Sequence, residues 1–186
     1  MTAKHKTLFG PYTLWSLQLA NRIVMAPTTR SRTIGDVPNE LMVTYYSQRA
    51  AAGLLIMEGT APSPNGLGYA RITALYSPEL ITAWKKVTDA VHAVAGKIFV
   101  QLMHTGRITH PLNLPAGAKV VAPSAVAAAN SPMNTDAQGM QPLPVPEALT
   151  TEDLASTVAE FVHSAKSAIE AGFDGVELHI ANGYLL

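Results

Sequence analysis

The sequence contains no cysteine. That absence excludes disulfides, zinc–thiolate sites, iron–sulfur clusters and thiol nucleophiles. It also leaves the chain independent of an oxidising compartment, so a cytoplasmic location is expected. Net charge is absent too: thirteen basic residues balance thirteen acidic ones. Without a field of one sign, neither nucleic acid nor an anionic membrane is an expected partner. Long apolar runs are missing; LLIM at residues 54–57 falls far short of the roughly 20 residues of a membrane span. No apolar stretch of secretory-signal type follows the first six residues. What remains is 186 residues, 48% hydrophobic and only 14% charged, enough for one domain with a sizeable core. With no internal repeat or linker, residues 1–186 are read as a single unit.

Short β-like runs alternate with longer helical patterns. Residues 22–26 (RIVMA), 54–59 (LLIMEG), 97–103 (KIFVQLM) and 174–178 (DGVEL) read as four strands. Between the first two, residues 39–52 predict a helix that Gly53 ends. Ser77-Pro78-Glu79 predicts a helix start, with a hydroxyl cap, a proline in the first turn and an acid at the positive end of the dipole. Leu80, Trp84, Val87, Val91 and Val94 follow at helical spacing, and Gly96 closes the segment. Thr150 or Thr151 caps a third helix, whose expected core face is Leu154, Val158, Phe161, Val162, Ala165 and Ile169, with Gly172 at its end. Strand–helix alternation at this period demands a parallel sheet with right-handed crossovers. An open doubly wound sheet and half of a (β/α)8 barrel both satisfy it. The first strand–helix turn, Pro27-Thr28-Thr29-Arg30, offers hydroxyls rather than the glycines of a nucleotide-binding turn, which favours the barrel. Residues 8–20 suit a hairpin closing one barrel end. Residues 104–149, rich in Pro, Gly, Ala and Asn, form a long insertion after the third strand, of the kind that serves as a lid or a substrate-binding excursion.

Chemistry concentrates in DGVELHIANGYLL at residues 174–186, where a strand delivers His179 and then Asn182 and Tyr184 at its carboxyl end, the active end of α/β folds. Together with NRIVMAPTTRSR (21–32), EGT (58–60), SPE (77–79) with WKK (84–86), and QLMHTGR (101–107), this stretch resembles the Old Yellow Enzyme family of FMN-dependent ene-reductases, near its N-ethylmaleimide and nitrate-ester reductase branch. Five strings occur in the same order, each at a strand end or helix start.

The resemblance implies an FMN-binding (β/α)8 barrel of which this chain is the N-terminal half. It implies NADPH or NADH as reductant and a small electrophilic alkene (an enone or maleimide), a nitro compound or a nitrate ester as oxidant. Hydride would pass from flavin N5 to the β-carbon of the alkene while charge builds on its carbonyl oxygen. On the matching positions, His179 and Asn182 are the donors to that oxygen, a role in which each donor is worth roughly 10²–10³ in rate. Asn182 stands where many relatives of the branch carry a second histidine; an amide donates without titrating. Tyr184 matches the proton donor to the α-carbon, a phenol protonated at neutral pH. Thr29 matches the hydroxyl beside the flavin carbonyl next to N5, Gln101 an amide on the pyrimidine edge, and Gly59 a close backbone approach. Pro27 and Thr28 line the same edge, His179 also borders the cofactor, and Tyr69 is an aromatic wall of the substrate pocket. Met103 stands where the branch often has tryptophan, so a wider pocket is expected there. His104 and His110 lack a carboxylate cluster, and no metal is expected.

In that family the phosphate of FMN is held by later strands, which here would lie in a C-terminal half. The expectation is therefore a chain that needs a C-terminal half-barrel or self-association to work. A flavin-independent barrel lyase or isomerase and a catalytically inert fragment are the rival readings.

Overall fold

The computed structural model describes residues 7–186. The first described strands form a hairpin, β1 (Tyr12–Leu14) and β2 (Leu17–Leu19), paired antiparallel with Leu14 opposite Leu17. Trp15, at the two-residue turn, adopts φ 51°. The sheet strand β3 (Val24–Met25) follows, then helix α1 (Glu40–Ser47) and β4 (Leu54–Ala61). Next come the short β5 (Thr73–Ala74), helix α2 (Pro78–His92) and β6 (Ile98–Leu102). The insertion carries β7 (Val121–Ala122), β8 (Met133–Thr135), β9 (Gly139–Gln141) and β10 (Glu147–Ala148). Helix α3 (Thr151–Glu170) and β11 (Gly175–Leu178) complete the described chain.

Strands β3, β4, β6 and β11 lie side by side in chain order, all parallel. A doubly wound sheet would reverse its winding between the two halves. This one advances in a single direction with a helix on each crossover, which is the arrangement of half a (β/α)8 barrel. In the insertion, β8 and β9 form a hairpin, and β10 pairs parallel with β7. No helix among the described residues is long and apolar enough to cross a membrane.

Local chemistry explains the helix starts. Asn39 accepts from the Leu41 amide, Ser77 from the Leu80 amide, and Thr150 forms a reciprocal capping box with Asp153, each satisfying amides the helix leaves unpaired. Helix α1 is shorter than the expected 39–52: after Ser47 the chain tightens into three-residue turns, with Arg49 N bonded to Tyr46 O and Ala52 N to Arg49 O. The side chain of Asn21 then clasps the turn, donating to Ala51 O and accepting from Gly53 N. The first strand contributes only Val24 and Met25 to the sheet, not residues 22–26. The core between sheet and helices holds Met42, Tyr46, Leu55, Met57, Leu80, Trp84, Val87, Val91, Ile98 and Val100. Trp84 is fully buried, donates its indole N–H to Ala74 O and meets Phe173 edge-on. Val94, expected on this face, lies past the helix end and is exposed.

Helix α3 departs from expectation most. Of the expected core face, Phe161 is buried and Ala165 packs against the core, whereas Leu154, Val158, Val162 and Ile169 are exposed. A neighbouring stripe of small residues, Ser164, Ser167 and Ala168, is buried instead. Small side chains let the helix lie close on the sheet, and the larger ones are left exposed. The strand edges match this: Ile23 and Val24 at one border and Leu178 and Ile180 at the other are exposed.

The lower end of the half-barrel is tied by Asp174. Its carboxylate accepts from the Ile98 amide and His92 Nε2, both at 2.9 Å, and from Lys97 Nζ at 3.3 Å. One side chain thus joins the end of α2, the start of β6 and the start of β11. Burial works against its charge, but these donors prevail and hold its carboxyl below the usual range.

Candidate functional site

The sheet register places Gly59, Gln101 and Glu177 in one row across β4, β6 and β11. The row lies near the carboxyl ends of all three strands. Gln101 donates from its amide nitrogen to Glu177 at 2.7 Å, which fixes the orientation of both side chains. Glu177 is a partner that the sequence reading did not single out; as an acid within a strand it carried a signal without a readable role. A Cβ at Gly59 would meet the thioether of Met103, whose flexible end would have to shift to admit it. Met103 itself is buried, packed over Gly59.

One residue beyond β11, His179 is held by its own amide, which donates to Leu102 O at 3.0 Å. Asn182 and Gly183 then turn the chain at φ 62° and 68°. This brings Asn182 Nδ2 to 3.4 Å from His179 Nε2 and folds Tyr184 back so that its ring lies 4.9 Å from the imidazole. The turn is anchored where Leu185 N donates to His104 O at 3.1 Å. Gly106, at φ 58°, makes this approach possible, since a Cβ there would lie 2.8 Å from Leu185 N. Thus QLMHTGR and HIANGYLL form a single structural piece.

Tyr69 joins from the loop after β4. Its hydroxyl lies 2.6 Å from that of Tyr184, and burial together with this bond keeps the Tyr69 phenol protonated far above neutral pH. His179, Asn182, Tyr184 and Tyr69 therefore form one polar cluster at the carboxyl end of β11. His179 Nδ1 is buried and carries no hydrogen-bond partner among the described residues. A buried imidazole nitrogen left unpaired costs free energy, and it is the kind of atom a bound group satisfies.

Pro27, Thr28 and Thr29 follow β3 at the same end of the sheet, with both threonine side chains exposed. The next residue, Arg30, is anchored to Glu58: its amide lies 3.3 Å from one carboxylate oxygen and its guanidinium 3.6 Å from the other. His104 lies under the cluster, buried, with Nδ1 accepting from the Gly106 amide. Burial lowers its pKa to about 4, so it is neutral at physiological pH. His110 caps a short turn through Leu112.

Hydroxyls after one strand, an amide in the third and an imidazole after the fourth set polar groups along the strand ends, while the thioether of Met103 covers the glycine of the second. Residues 7–186 match the NADH:flavin oxidoreductase / NADH oxidase family, and the chain belongs to that family, the Old Yellow Enzymes. It is 40% identical over 190 residues to 12-oxophytodienoate reductase 7 of Oryza sativa, covering 98% of this chain and 47% of that protein. It is 43% identical over 193 residues to a probable flavin mononucleotide-dependent alkene reductase of Leishmania infantum, covering 100% and 53% respectively. Among solved structures, morphinone reductase superimposes with a TM-score of 0.90 at 43% identity, over 96% of this chain and 49% of that one. The Old Yellow Enzyme homologue from Zymomonas mobilis gives 0.91 at 40% identity, over 96% and 50%. The chain spans about half the length of the relatives it matches.

Proposed function

We propose that this chain is the N-terminal half of an FMN-dependent ene-reductase that draws electrons from NADPH or NADH and reduces activated alkenes such as enones and maleimides, with nitro compounds and nitrate esters as further oxidants. The observation that carries this reading is the cluster of His179, Asn182, Tyr184 and Tyr69 beside the Gly59–Gln101–Glu177 row.

FMN would lie against Pro27, Thr28, Thr29, Gly59, Gln101 and His179, and when bound it would supply the hydride. The residues of this chain do the rest. The turn at Asn182 and Gly183 brings an amide N–H and an imidazole together, so that two donors converge on one acceptor oxygen, and neither donor needs a positive charge. Charge developing on a carbonyl oxygen held there is stabilised most strongly in the transition state. Tyr184 holds the proton for the α-carbon; the Tyr69 hydroxyl, 2.6 Å away, hydrogen-bonds the phenolate left behind, which takes its proton back from solvent. Tyr69 borders the substrate; Met103, expected to widen the pocket, is packed on Gly59 and reaches the substrate only by swinging off it. A cytoplasmic location belongs to this reading, because a cysteine-free chain has no use for an oxidising compartment.

The exposed stripe on α3 and the two open strand edges favour a working form in which a C-terminal half-barrel, or a second copy of this chain, covers them. Unpaired edges and large apolar faces are otherwise association-prone. The test is to titrate FMN by its fluorescence against the purified chain, alone and with a C-terminal half from a relative, while following NADPH oxidation with an enone. Binding and turnover that arise only on mixing support the proposal. Turnover of a carbonyl substrate without flavin would favour a lyase or isomerase, and no binding or turnover in either condition an inert fragment.

A further inference from the structure

The pairing of β4 with β6 slips by one residue between Met57 and Gly59: Met57 faces Val100, and Gly59 already faces Gln101. Glu58 is the extra residue of this bulge. In an unbroken strand its side chain would point to the face opposite that of Met57; bulges re-aim side chains, often beside active sites. Here the carboxylate reaches helix α1, where Oε1 accepts from the Tyr46 hydroxyl at 3.0 Å while that hydroxyl accepts from Glu58 N at 3.2 Å. Glu58 and Tyr46 are both buried, at 1% and 0% exposure.

A buried carboxylate is costly unless paired and hydrogen-bonded, and the partner here is informative. Strand β3 leaves the sheet after Met25, and the chain is tied back further on by Thr33, through its amide to Arg71 O and its hydroxyl to Ile72 O. Within the intervening arm, the Arg30 amide is bonded to Glu58 Oε2 and the Arg30 guanidinium lies 3.6 Å from Oε1. The guanidinium also stacks 3.1 Å over the Tyr45 ring. Main chain and side chain of one residue are gripped by the same carboxylate, and Thr29 is the residue immediately before it.

We propose that Glu58 is a positioning residue: held by the bulge and by Tyr46, its carboxylate clamps Arg30 and so sets the direction in which Thr29 presents its hydroxyl at the strand ends. The clamp stands in for the ladder bonds that residues 26–30 lack. That Thr29 faces a flavin rests on the function proposed above; the clamp itself does not.

Amide hydrogen exchange on the full chain, without flavin, decides the matter. In E58L, which keeps bulk but removes both acceptors, exchange at Arg30 should accelerate at least about tenfold, the scale of one lost buried hydrogen bond to a charged group. The strands β4 and β6 should keep their protection. E58Q retains an acceptor for the Arg30 amide and should bring exchange back to within about threefold of wild type. Unchanged exchange at residues 28–31 in E58L, or acceleration spread evenly over the whole chain, overturns the proposal. If E58L does not fold, Y46F carries the test, because it frees the carboxylate from α1. Acceleration of about threefold or more confined to residues 28–31 supports the clamp, and none refutes it. T29A separates this from the functional reading: if FMN quenching by the chain mixed with its C-terminal half is unaltered in T29A while the exchange effects persist, the clamp stands and the flavin-facing role of Thr29 falls.

Discussion

Acidification should unfold this chain through His104. The side chain is 2% exposed, its Nδ1 accepts from the Gly106 amide, and its Nε2 is buried without a partner among the described residues. Adding a proton at Nδ1 would break the Gly106 bond and leave a charge without a counterion. Burial accordingly lowers the pKa to about 4, against about 6.5 in an unfolded chain. Because the folded value is the lower one, the unfolded state takes up the proton first as pH falls. Stability is therefore complete above pH 6.5 and drains away between 6.5 and about 4. At roughly 1.4 kcal/mol per unit, the loss amounts to about 3 kcal/mol across that window, a large part of an ordinary domain's stability. Urea unfolding followed by fluorescence measures it: Trp84 is sealed in the core, whereas Trp15, 86% exposed, contributes a nearly constant signal. Between pH 7 and 4.5 the unfolding free energy should fall by about 2–3 kcal/mol more in wild type than in H104Q, which cannot titrate. Equal slopes in the two proteins, or an imidazole titration of His104 near 6.5 by NMR, would refute the reasoning.

Three further outcomes are expected. D174N should cost about 1–2 kcal/mol in urea unfolding at pH 7, since hydrogen bonds from Lys97 and His92 lose their charged acceptor. The wild-type advantage should disappear as pH falls below about 4, because a carboxyl whose folded pKa is depressed stabilises only above that range. G106A places a Cβ against Leu185 in a left-handed backbone and should cost about 1–3 kcal/mol, with exchange at the Leu185 amide accelerating more than at any amide of β6. V158E with V162E, on the exposed stripe of α3, should leave the stability of the isolated chain within about 0.5 kcal/mol yet abolish association with a C-terminal half in size-exclusion chromatography.

The barrel order was legible because each strand is a short apolar run and two of the helices begin with a capping residue that acts without tertiary context, Ser77 and Thr150 with Asp153; the Asn39 cap of α1 was not read. The hairpin too could be read from turn formers between alternating apolar positions. The face of α3 could not. Periodicity finds an apolar stripe, but it does not say whether Val158 and Val162 meet the sheet or the next helix, and the buried contacts went to Ser164 and Ala168, which look polar or neutral in sequence. At the site, the residues were readable one by one. Their connections were not, because the Tyr69–Tyr184 and Gln101–Glu177 bonds join segments 115 and 76 positions apart. The bulge at Glu58 was hidden for another reason: a one-residue slip leaves no mark on composition, and only the acid inside LLIMEG hinted that something held it.

Strand order equal to chain order has a further consequence for how the molecule is made. Every strand after the first meets a neighbour synthesised before it, so the sheet can grow by accretion as the polypeptide leaves the ribosome, without waiting for distant segments. Asp174, closing onto β6 and the end of α2, then works like a latch that only a finished third unit can receive.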